Sequence, residues 1–353
     1  MYRNTYAIIN LKNLKYNIKK IKKNYPHYKY YIGVVKADCY GHNGNLVIES
    51  IIESGCNYLA VSSLDEALEI RKKFDIHIMC LGIINEKYIK TCEKNNIDIT
   101  ITNLKYYNKV KNYKVNIQLK IDTGMNRLGI KSKKELEKII ELSKTSKAKI
   151  KGIYTHIYDY KNKNNNLIQI NKFKEMIKGI DLKNIEMIHI SQSDTLLNYP
   201  KIDICNACRL GIAMYGLTNN KIGLKNTFSL ISEIIEIKNL KRGETVGYNG
   251  IYTASKNEFI GIASIGYADG LNRKITGASI YINNKKYEII GNICMDMIMI
   301  KIDKTIKVHD KVYIFKDNNH ILKLSNYLNT IPYELICNIS KRVPRIYKWK
   351  INI

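Results

Sequence analysis

Short apolar runs alternate with segments of helical periodicity through the first 220 residues, and this alternation constrains the fold more than any other feature. The runs extend from YAIIN at 6–10 and YYIGVV at 30–35 to CRLGIAMYG at 208–216. Between them lie segments such as SLDEALEIRKKF, with apolar residues at helical spacing behind an N-cap serine, Ser63. About eight such units predict an α/β fold, a (β/α)8 TIM-type barrel. A doubly wound open sheet is the alternative, but no GxGxxG turn follows an early strand.

From about residue 225 the chain reads as strands separated by turn signals such as RGET, YADG and KDNN. This pattern predicts a mostly antiparallel β domain with one or two short helices near 321–339. We therefore expect a barrel over 10–222 and a C-terminal β domain over 223–353, which the N-terminal strand 1–9 joins. The N-terminus has no apolar core of signal-peptide length, and no apolar run approaches membrane-spanning length, so a cytoplasmic protein without membrane contact is expected.

A lysine, Lys36, closes the second apolar run, where an ammonium group is costly to bury unless it is paired or chemically altered. Polar residues also accompany later strands: Arg127 and Ser193 follow apolar runs, His156 ends one, and Arg209 opens the last. Because catalytic groups of a barrel lie at the C-terminal ends of its strands, we expect these side chains to converge on one mouth. A lysine among apolar neighbours there has a lowered pKa and can form a Schiff base, as a pyridoxal phosphate (PLP) lysine does. Taken alone, Lys36 is more typical of a barrel-rim lysine that snorkels to solvent, and only the other polar residues reverse this interpretation.

The net charge of +27 raises the possibility of nucleic-acid binding. Lysine is spread along the whole chain, however, and only eight of the 58 basic residues are arginine, so the charge reflects biased composition and no nucleic-acid partner is predicted. In a chain where lysine is the usual basic residue, an arginine indicates a site that needs a planar, permanently charged group. The eight cysteines are expected to be reduced, and the lone pair Cys205 and Cys208 lacks a matching second pair, so no metal site is predicted.

Seven segments together resemble the successive motifs of the alanine racemase family. They occur in the family's order, and the resemblance extends to VPRIY at 343–347, so it covers nearly all of the chain. The segments are VVKADCYGHNG, KIDTGMNRLGI, GIYTHI, RLGIAMYGL, VGYNG, IGYADG and CMDM. The resemblance implies a PLP-dependent, two-domain homodimer with a barrel and a β domain, and active sites shared across the subunit interface.

Residue roles follow from this resemblance. Lys36 would carry PLP and act as one catalytic base, and Tyr248 would be the second base, supplied by the other subunit. Arg209 would face the pyridine nitrogen and His156 the cofactor ring. Arg127 and the backbone of Met295 would orient the substrate carboxylate, and Lys120 lies where some members have an N-carboxylated lysine. The phosphate would be held by Tyr40, Ser193, Gly211 and Ile212.

The chemistry of racemisation agrees with these roles, since bases on opposite sides of a planar carbanion can exchange the Cα proton. PLP supplies the electron sink. An arginine beside the pyridine nitrogen would leave that nitrogen unprotonated and disfavour transamination. Lys120 also shares one face of its strand with Asn116 and Gln118, and both faces of a barrel strand are covered, so it needs a partner or a modification.

Four positions depart from the family pattern. Gly247 replaces a serine before the second base, Gln192 replaces an asparagine, and Asn292 replaces a frequent arginine of the entrance. Lys341 is assigned to the position of a tyrosine that touches the phosphate and narrows the entrance. The sequence therefore predicts an alanine racemase that supplies D-alanine for peptidoglycan, with a serine or broad-specificity racemase as the nearest alternative. Less favoured are an amino-acid decarboxylase on a similar barrel and a PLP-binding protein without racemase activity.

Overall fold

The computed structural model describes residues 3–218 and 222–349. In it β2 to β9 run parallel, and β9 pairs back onto β2, so the barrel is closed. The predicted TIM-type barrel is confirmed, and the open doubly wound sheet is wrong. The first nine strands are β1 Tyr6–Asn10, β2 Tyr30–Val34, β3 Tyr58–Val61, β4 Ile78–Cys80, β5 Ile97–Ile101, β6 Asn116–Lys120, β7 Lys149–Tyr154, β8 Met187–Gln192 and β9 Ala207–Leu210.

Helices follow the barrel strands and cover their outer faces. One helix begins at the predicted N-cap, since Ser63 accepts from the backbone N–H of Glu66, and Ser132 likewise accepts from that of Glu135. The barrel region contains α1 Leu11–Asn24, α2 Lys36–Tyr40, α3 Asn45–Glu53, α4 Leu64–Arg71, α5 Ile89–Lys94, α6 Leu104–Val110, α7 Lys133–Ser143, α8 Lys163–Ile177 and α9 Ser193–Asn198.

The last predicted barrel run is shorter as a strand than the apolar pattern indicates. β9 ends at Leu210, and the chain then turns, with Met214 N donating to Gly211 O (3.0 Å) and Tyr215 N to Ile212 O (3.1 Å). The apolar residues after Leu210 are buried by tertiary packing and do not extend the strand. This turn brings backbone of residues 211 and 212 to the barrel mouth.

The second half is an antiparallel sheet, as predicted, with one parallel pair. The sheet order is β13-β16-β15-β14-β17-β10-β1-β18, and β13 also pairs with β10, so the sheet curls back on itself. It contains β10 Phe228–Leu240, β13 Glu258–Ala263, β14 Ser279–Ile282, β15 Lys285–Ile290, β16 Ile298–Ile302, β17 Lys311–Phe315 and β18 Arg345–Lys348; β11 Thr245–Val246 and β12 Tyr252–Thr253 form a separate hairpin, and the helices are α10 Asn318–Tyr327 and α11 Pro332–Cys337.

β1 lies in this second sheet, where it pairs antiparallel with β10 and parallel with β18. The first strand of the chain is thereby held by strands more than 200 residues away. The division at residues 222 and 223 stays a prediction, and residues 1–2, 219–221 and 350–353 of the predicted domains lie outside the described residues. Within the described ranges, no helix has both the length and the apolar character needed to cross a membrane.

Candidate active site

A cavity of about 590 Å³ opens at the C-terminal ends of the barrel strands. Residues from seven of the eight barrel strands or their following loops line it, together with Ile331 and Tyr333 at the start of α11. This convergence is what a closed parallel barrel imposes, because all its strands end on one rim. The predicted site residues that line the cavity are Lys36, Tyr40, Lys120, Arg127, His156, Ser193, Arg209, Gly211 and Ile212.

The chain leaves β2 through an unusual left-handed turn. Residues 37–40, none of them glycine, have φ between 50° and 56°, a conformation that costs about 1–2 kcal/mol per residue. The turn is held from several directions: Ala37 N donates to Glu66 Oε1 at 2.6 Å, and Arg345 Nε donates to Gly41 O at 3.1 Å. Its consequence is that Lys36 and Tyr40, four residues apart, both line the same cavity.

The amine of Lys36 lies partly buried among cationic neighbours. Burial lowers the pKa of Lys36, and the positive charge of Arg127 lowers it further, against a smaller opposing effect of Glu66. Over residues 3–218 and 222–349, no ion pair involves Lys36. A neutral amine is a nucleophile and a base, so the environment favours covalent and proton-transfer chemistry at Nζ.

Tyr40, Ser193 and the backbone around residue 211 border a small polar space in the cavity that Lys36 also lines. Ser193 Oγ accepts from the backbone N–H groups of Gly211 (2.9 Å) and Ala213 (3.2 Å). A Cβ on Gly211 would come within 3.0 Å of Tyr40 Oη, so glycine leaves the space between these hydroxyls open. Hydroxyl groups and backbone N–H groups around such a space suit a phosphate.

Arg209 is buried below the cavity and is held by neutral acceptors. Its guanidinium donates to Thr155 O (2.8 Å), Ile190 O (3.0 Å) and His189 O (3.1 Å), and Nη1 lies 2.6 Å from His189 Nδ1. Burial lowers the pKa of Arg209 to about 10. Among the described residues no carboxylate pairs with it, so a buried positive charge faces the cavity.

Two further groups near Arg209 have lowered pKa values. Burial and the nearby Arg209 hold the pKa of His156 well below its usual range, so this imidazole is neutral. Lys120 is 5% exposed, and burial together with Arg127 and Arg209 lowers its pKa to about 8. A buried lysine among cations, without an ion pair in the described part of the chain, matches the predicted need for a partner or a modification.

The structure does not bring Tyr248 or Met295 into the cavity. The Tyr248 side chain is 70% exposed and Met295 is 53% exposed, and neither lines the cavity of its own chain. Gly247 precedes the tyrosine at φ 72° and ψ −169°, a conformation essentially restricted to glycine, and Asn292 Nδ2 donates to Tyr248 O at 2.8 Å. The two departures from the family pattern thus shape the loop that presents Tyr248.

Comparison with models of protein families tests the family membership that the sequence motifs indicated. Residues 9–219 match the model of the alanine racemase N-terminal domain, and residues 227–347 match the model of the C-terminal domain. The chain belongs to the alanine racemase family. The resemblance drawn from the motifs is thereby confirmed, and so is its assignment as an amino-acid racemase, an isomerase.

Curated relatives cover nearly the whole chain. Alanine racemase 1 of Bacillus subtilis is 34% identical over 365 aligned residues, which cover 98% of this chain and 93% of the relative. The alanine racemase of Streptococcus pyogenes serotype M1 is also 34% identical, with 98% and 99% coverage. Matches of this extent include both domains and the loops between them.

Solved alanine racemases have the same architecture. The alanine racemase from E. faecalis superposes with a TM-score of 0.92 at 29% identity, over 98% of this chain and 99% of that one. The alanine racemase of Clostridium difficile 630 gives a TM-score of 0.92 at 31% identity, with 99% and 97% coverage. The structure from Bacillus anthracis, with bound L-Ala-P, gives 0.90 at 29% identity, over 99% and 96%.

One assignment within the entrance is wrong. Lys341 is exposed and does not line the cavity, whereas Tyr333 of α11 does, with its ring centroid 5.7 Å from that of Tyr40. The helix begins at Pro332 and places Tyr333 at the cavity on the side of Tyr40, next to Ile331. The tyrosine at this entrance is therefore present, but in α11 and not at position 341.

The remaining departure from the family pattern, Gln192, is the N-cap residue of α9. Its Oε1 accepts from Asp194 N at 2.8 Å, so it caps α9 and holds Ser193 at the helix start. Gln192 also lines the cavity, and its longer side chain takes up space there.

Replacing Tyr333 with alanine should relax the substrate preference of this racemase. Loss of the ring widens the mouth beside Tyr40, so the ratio of kcat/KM for serine to that for alanine should rise on the order of tenfold. Parallel assays of both amino acids measure this ratio. Lys341→Ala is the matched control and should leave the ratio unchanged; a larger effect at Lys341 than at Tyr333 would contradict the assignment.

Proposed function

We propose that this chain is a PLP-dependent alanine racemase that interconverts L- and D-alanine with Lys36 and Tyr248 as its two bases. The observation that carries the proposal is a partly buried lysine of lowered pKa beside an anion cradle and an arginine without a carboxylate partner among the described residues. D-alanine made in this way would enter peptidoglycan precursors.

The residues present fit PLP. The space bounded by Tyr40, Ser193 and the backbone of Gly211 and Ile212 would hold its phosphate, because a side chain at position 211 would fill it. Arg209 would lie against the pyridine nitrogen and His156 against the ring. When bound, PLP stabilises negative charge at the substrate Cα.

The protein groups would then take a proton from one face of the substrate and give a proton to the opposite face. Lys36 Nζ would remove the Cα proton on one side, and Tyr248 Oη would return a proton on the other. Arg127 lines the cavity and has no ion pair among the described residues, so its guanidinium is available to the substrate carboxylate, which the backbone of Met295 would help to orient. Arg209, being held by neutral acceptors, would keep the pyridine nitrogen unprotonated.

Tyr248 does not line the cavity of its own chain, and the proposal therefore includes a homodimer in which each tyrosine enters the other subunit's site. Four other large apolar side chains of the second domain are exposed as Tyr248 is: Ile251, Tyr267, Met295 and Met297. Such a surface is typical of a protein contact.

Alanine is the favoured substrate because Tyr333 and Tyr40 narrow the cavity mouth. The relative from Bacillus anthracis holds L-Ala-P, an alanine derivative by its name. Turnover of serine above that of alanine would favour a serine or broad-specificity racemase. Release of carbon dioxide from the amino acid would favour a decarboxylase.

Borohydride reduction of the purified enzyme, followed by peptide mapping, tests the cofactor assignment. The pyridoxyl group should be fixed to Lys36, with loss of the absorbance of the bound cofactor, and the untreated enzyme should racemise alanine. A chain that binds no PLP, or carries it on another lysine, would overturn the proposal.

Lys120 is proposed to be N-carboxylated. Its pKa of about 8 leaves the amine largely unprotonated above that pH, so the nitrogen can attack carbon dioxide, form an N–C bond and release one proton. The resulting anion would lie among Arg127, Arg209 and Lys36, which supply the positive charge that now surrounds Lys120.

Carbon-13 NMR with labelled bicarbonate tests this modification. A carbamate signal should appear, and at a fixed concentration of dissolved carbon dioxide it should be stronger at about pH 9 than at about pH 7, because the amine loses its proton between them. Lys120→Met should remove the signal, whereas Lys22→Ala, at a lysine outside the site, should retain it. A signal that survives in Lys120→Met would count against the modification.

A further inference from the structure

Below the cavity, buried polar side chains form a continuous row through the barrel interior. The row begins at Arg209, whose Nη1 lies 2.6 Å from His189 Nδ1. His189 is fully buried and stacks on Tyr154 with 4.6 Å between ring centroids and 5° between planes. Its other nitrogen, Nε2, lies 3.4 Å from Gln118 Oε1. The ring of His189 therefore links the arginine of the site to the strand β6.

Gln118 continues the row to a buried acid. Its Nε2 donates to Asp98 Oδ2 at 3.0 Å, and the hydroxyl of Tyr58 donates to the same oxygen. Asp98 is 1% exposed, and its Oδ1 has no hydrogen-bond partner among the described residues. Room for the Gln118 amide comes from Gly152, since a Cβ there would stand 2.0 Å from Gln118 Oε1.

The donors and acceptors along the row can be assigned in only one order. Asp98 Oδ2 accepts from two donors, which fixes the amide of Gln118 with its nitrogen toward Asp98 and its oxygen toward His189. That oxygen can only accept, so His189 must carry its proton on Nε2. Nδ1 then holds a free lone pair, which is what a guanidinium, a donor only, requires. Burial and the charge of Arg209 hold the pKa of His189 well below its usual range, in agreement with a neutral ring.

We propose that Asp98, Gln118 and Tyr58 are positioning residues for Arg209, which act by fixing His189 as the Nε2–H tautomer. Without this row the imidazole could carry its proton on Nδ1, which would point an N–H group at the guanidinium and push it from its place. The proposal deepens the proposed function and rests on it where Arg209 serves the cofactor; the proton position on His189 does not depend on PLP.

Neutron crystallography of the deuterium-exchanged holoenzyme tests the tautomer directly. A deuteron should be found on His189 Nε2 and none on Nδ1. A deuteron on Nδ1, or on both nitrogens, would overturn the proposal. Since this result is read from the protein alone, it remains interpretable even if the cofactor assignment fails in the borohydride experiment.

Variants test whether the row acts on catalysis as well as on folding. Gln118→Met and Asp98→Leu remove the polar groups at similar size, and each should lower kcat about tenfold to a hundredfold through displacement of Arg209 while KM changes little. The absorbance spectrum of the bound cofactor should also shift. Asp98→Asn, which keeps an acceptor oxygen for both donors, should restore most of kcat.

A control separates a positioning role from a structural one. Ser50→Ala changes another fully buried polar side chain, on α3, and should leave kcat and the spectrum unaltered. If Asp98→Leu does not fold, the kcat and the cofactor spectrum of Gln118→Met test the proposal instead. A Gln118→Met enzyme with parental kcat and spectrum, or one in which kcat falls only in proportion to loss of folded protein, would overturn the proposal.

Discussion

Replacing Lys36 with alanine is expected to abolish racemisation, with a loss of about 10³-fold or more in kcat. The amine would supply both the covalent attachment of the cofactor and one of the two bases, so two functions vanish together. Racemisation of L-alanine followed by polarimetry, together with the absorbance of the bound cofactor, measures both losses.

Lys22→Ala is the matched control for this substitution. Lys22 is also partly buried, donating to Gly55 O at 2.9 Å from α1, but it lies outside the cavity. Its loss should leave activity close to that of the parent. Added methylamine should restore part of the activity of Lys36→Ala, because a small amine can enter the space left by the side chain. Parental activity in Lys36→Ala would exclude Lys36 as the anchor.

Replacing Tyr248 with phenylalanine should lower kcat about 10²- to 10⁴-fold and leave cofactor binding intact. The phenol oxygen is lost, whereas the anchor and the phosphate cradle are unchanged. Steady-state kcat/KM values fall equally in both directions, since the equilibrium constant between enantiomers is one. Loss of only one of the two bases should instead appear in single-turnover exchange of the Cα proton with deuterium oxide. In that experiment the exchange of one enantiomer should be slowed far more than that of the other.

Tyr88→Phe, at another exposed tyrosine, is the control and should exchange both enantiomers at parental rates. Equal loss of proton abstraction from L- and D-alanine in Tyr248→Phe would contradict two bases on opposite faces.

Mixed subunits test where Tyr248 acts. If each tyrosine enters the partner's site, a dimer of one Lys36→Ala and one Tyr248→Phe chain contains one site with both native residues. Random mixing of the two inactive variants should then recover about a quarter of parental activity. Failure to recover activity in dimers shown to have exchanged subunits would place both residues in one chain's site.

The fold could be predicted because its signals are local. The alternation of apolar runs and helical segments specifies a parallel barrel, and the change to strands and turns near residue 225 specifies the second domain. The run at 208–216 shows the limit of such signals, because Ile212, Ala213 and Met214 are buried by neighbours although the strand ends at Leu210.

The cavity could also be predicted where its residues follow strands. Lys36 and Arg209 lie near the ends of parallel strands, and closure of the barrel brings those ends together whatever the separation in sequence. Sequence motifs put Lys341 where the structure has Tyr333, since α11 reaches the mouth only through packing of the second domain against the first. Most residues that line the cavity are far from α11 in the sequence. A local pattern therefore does not show which side of the helix faces the cavity.

By itself, the sequence determined the order of the elements, the family and the rim on which the polar residues meet, because periodicity and strand ends act over a few residues. The tertiary structure alone decided which groups surround each charge. It gave Arg209 neutral acceptors, placed Lys120 among cations, set Asp98 and Gln118 beneath His189, and left Tyr248 exposed outside its own cavity. These properties depend on distances between side chains that are far apart in sequence, and only the packed barrel and sheet fix those distances.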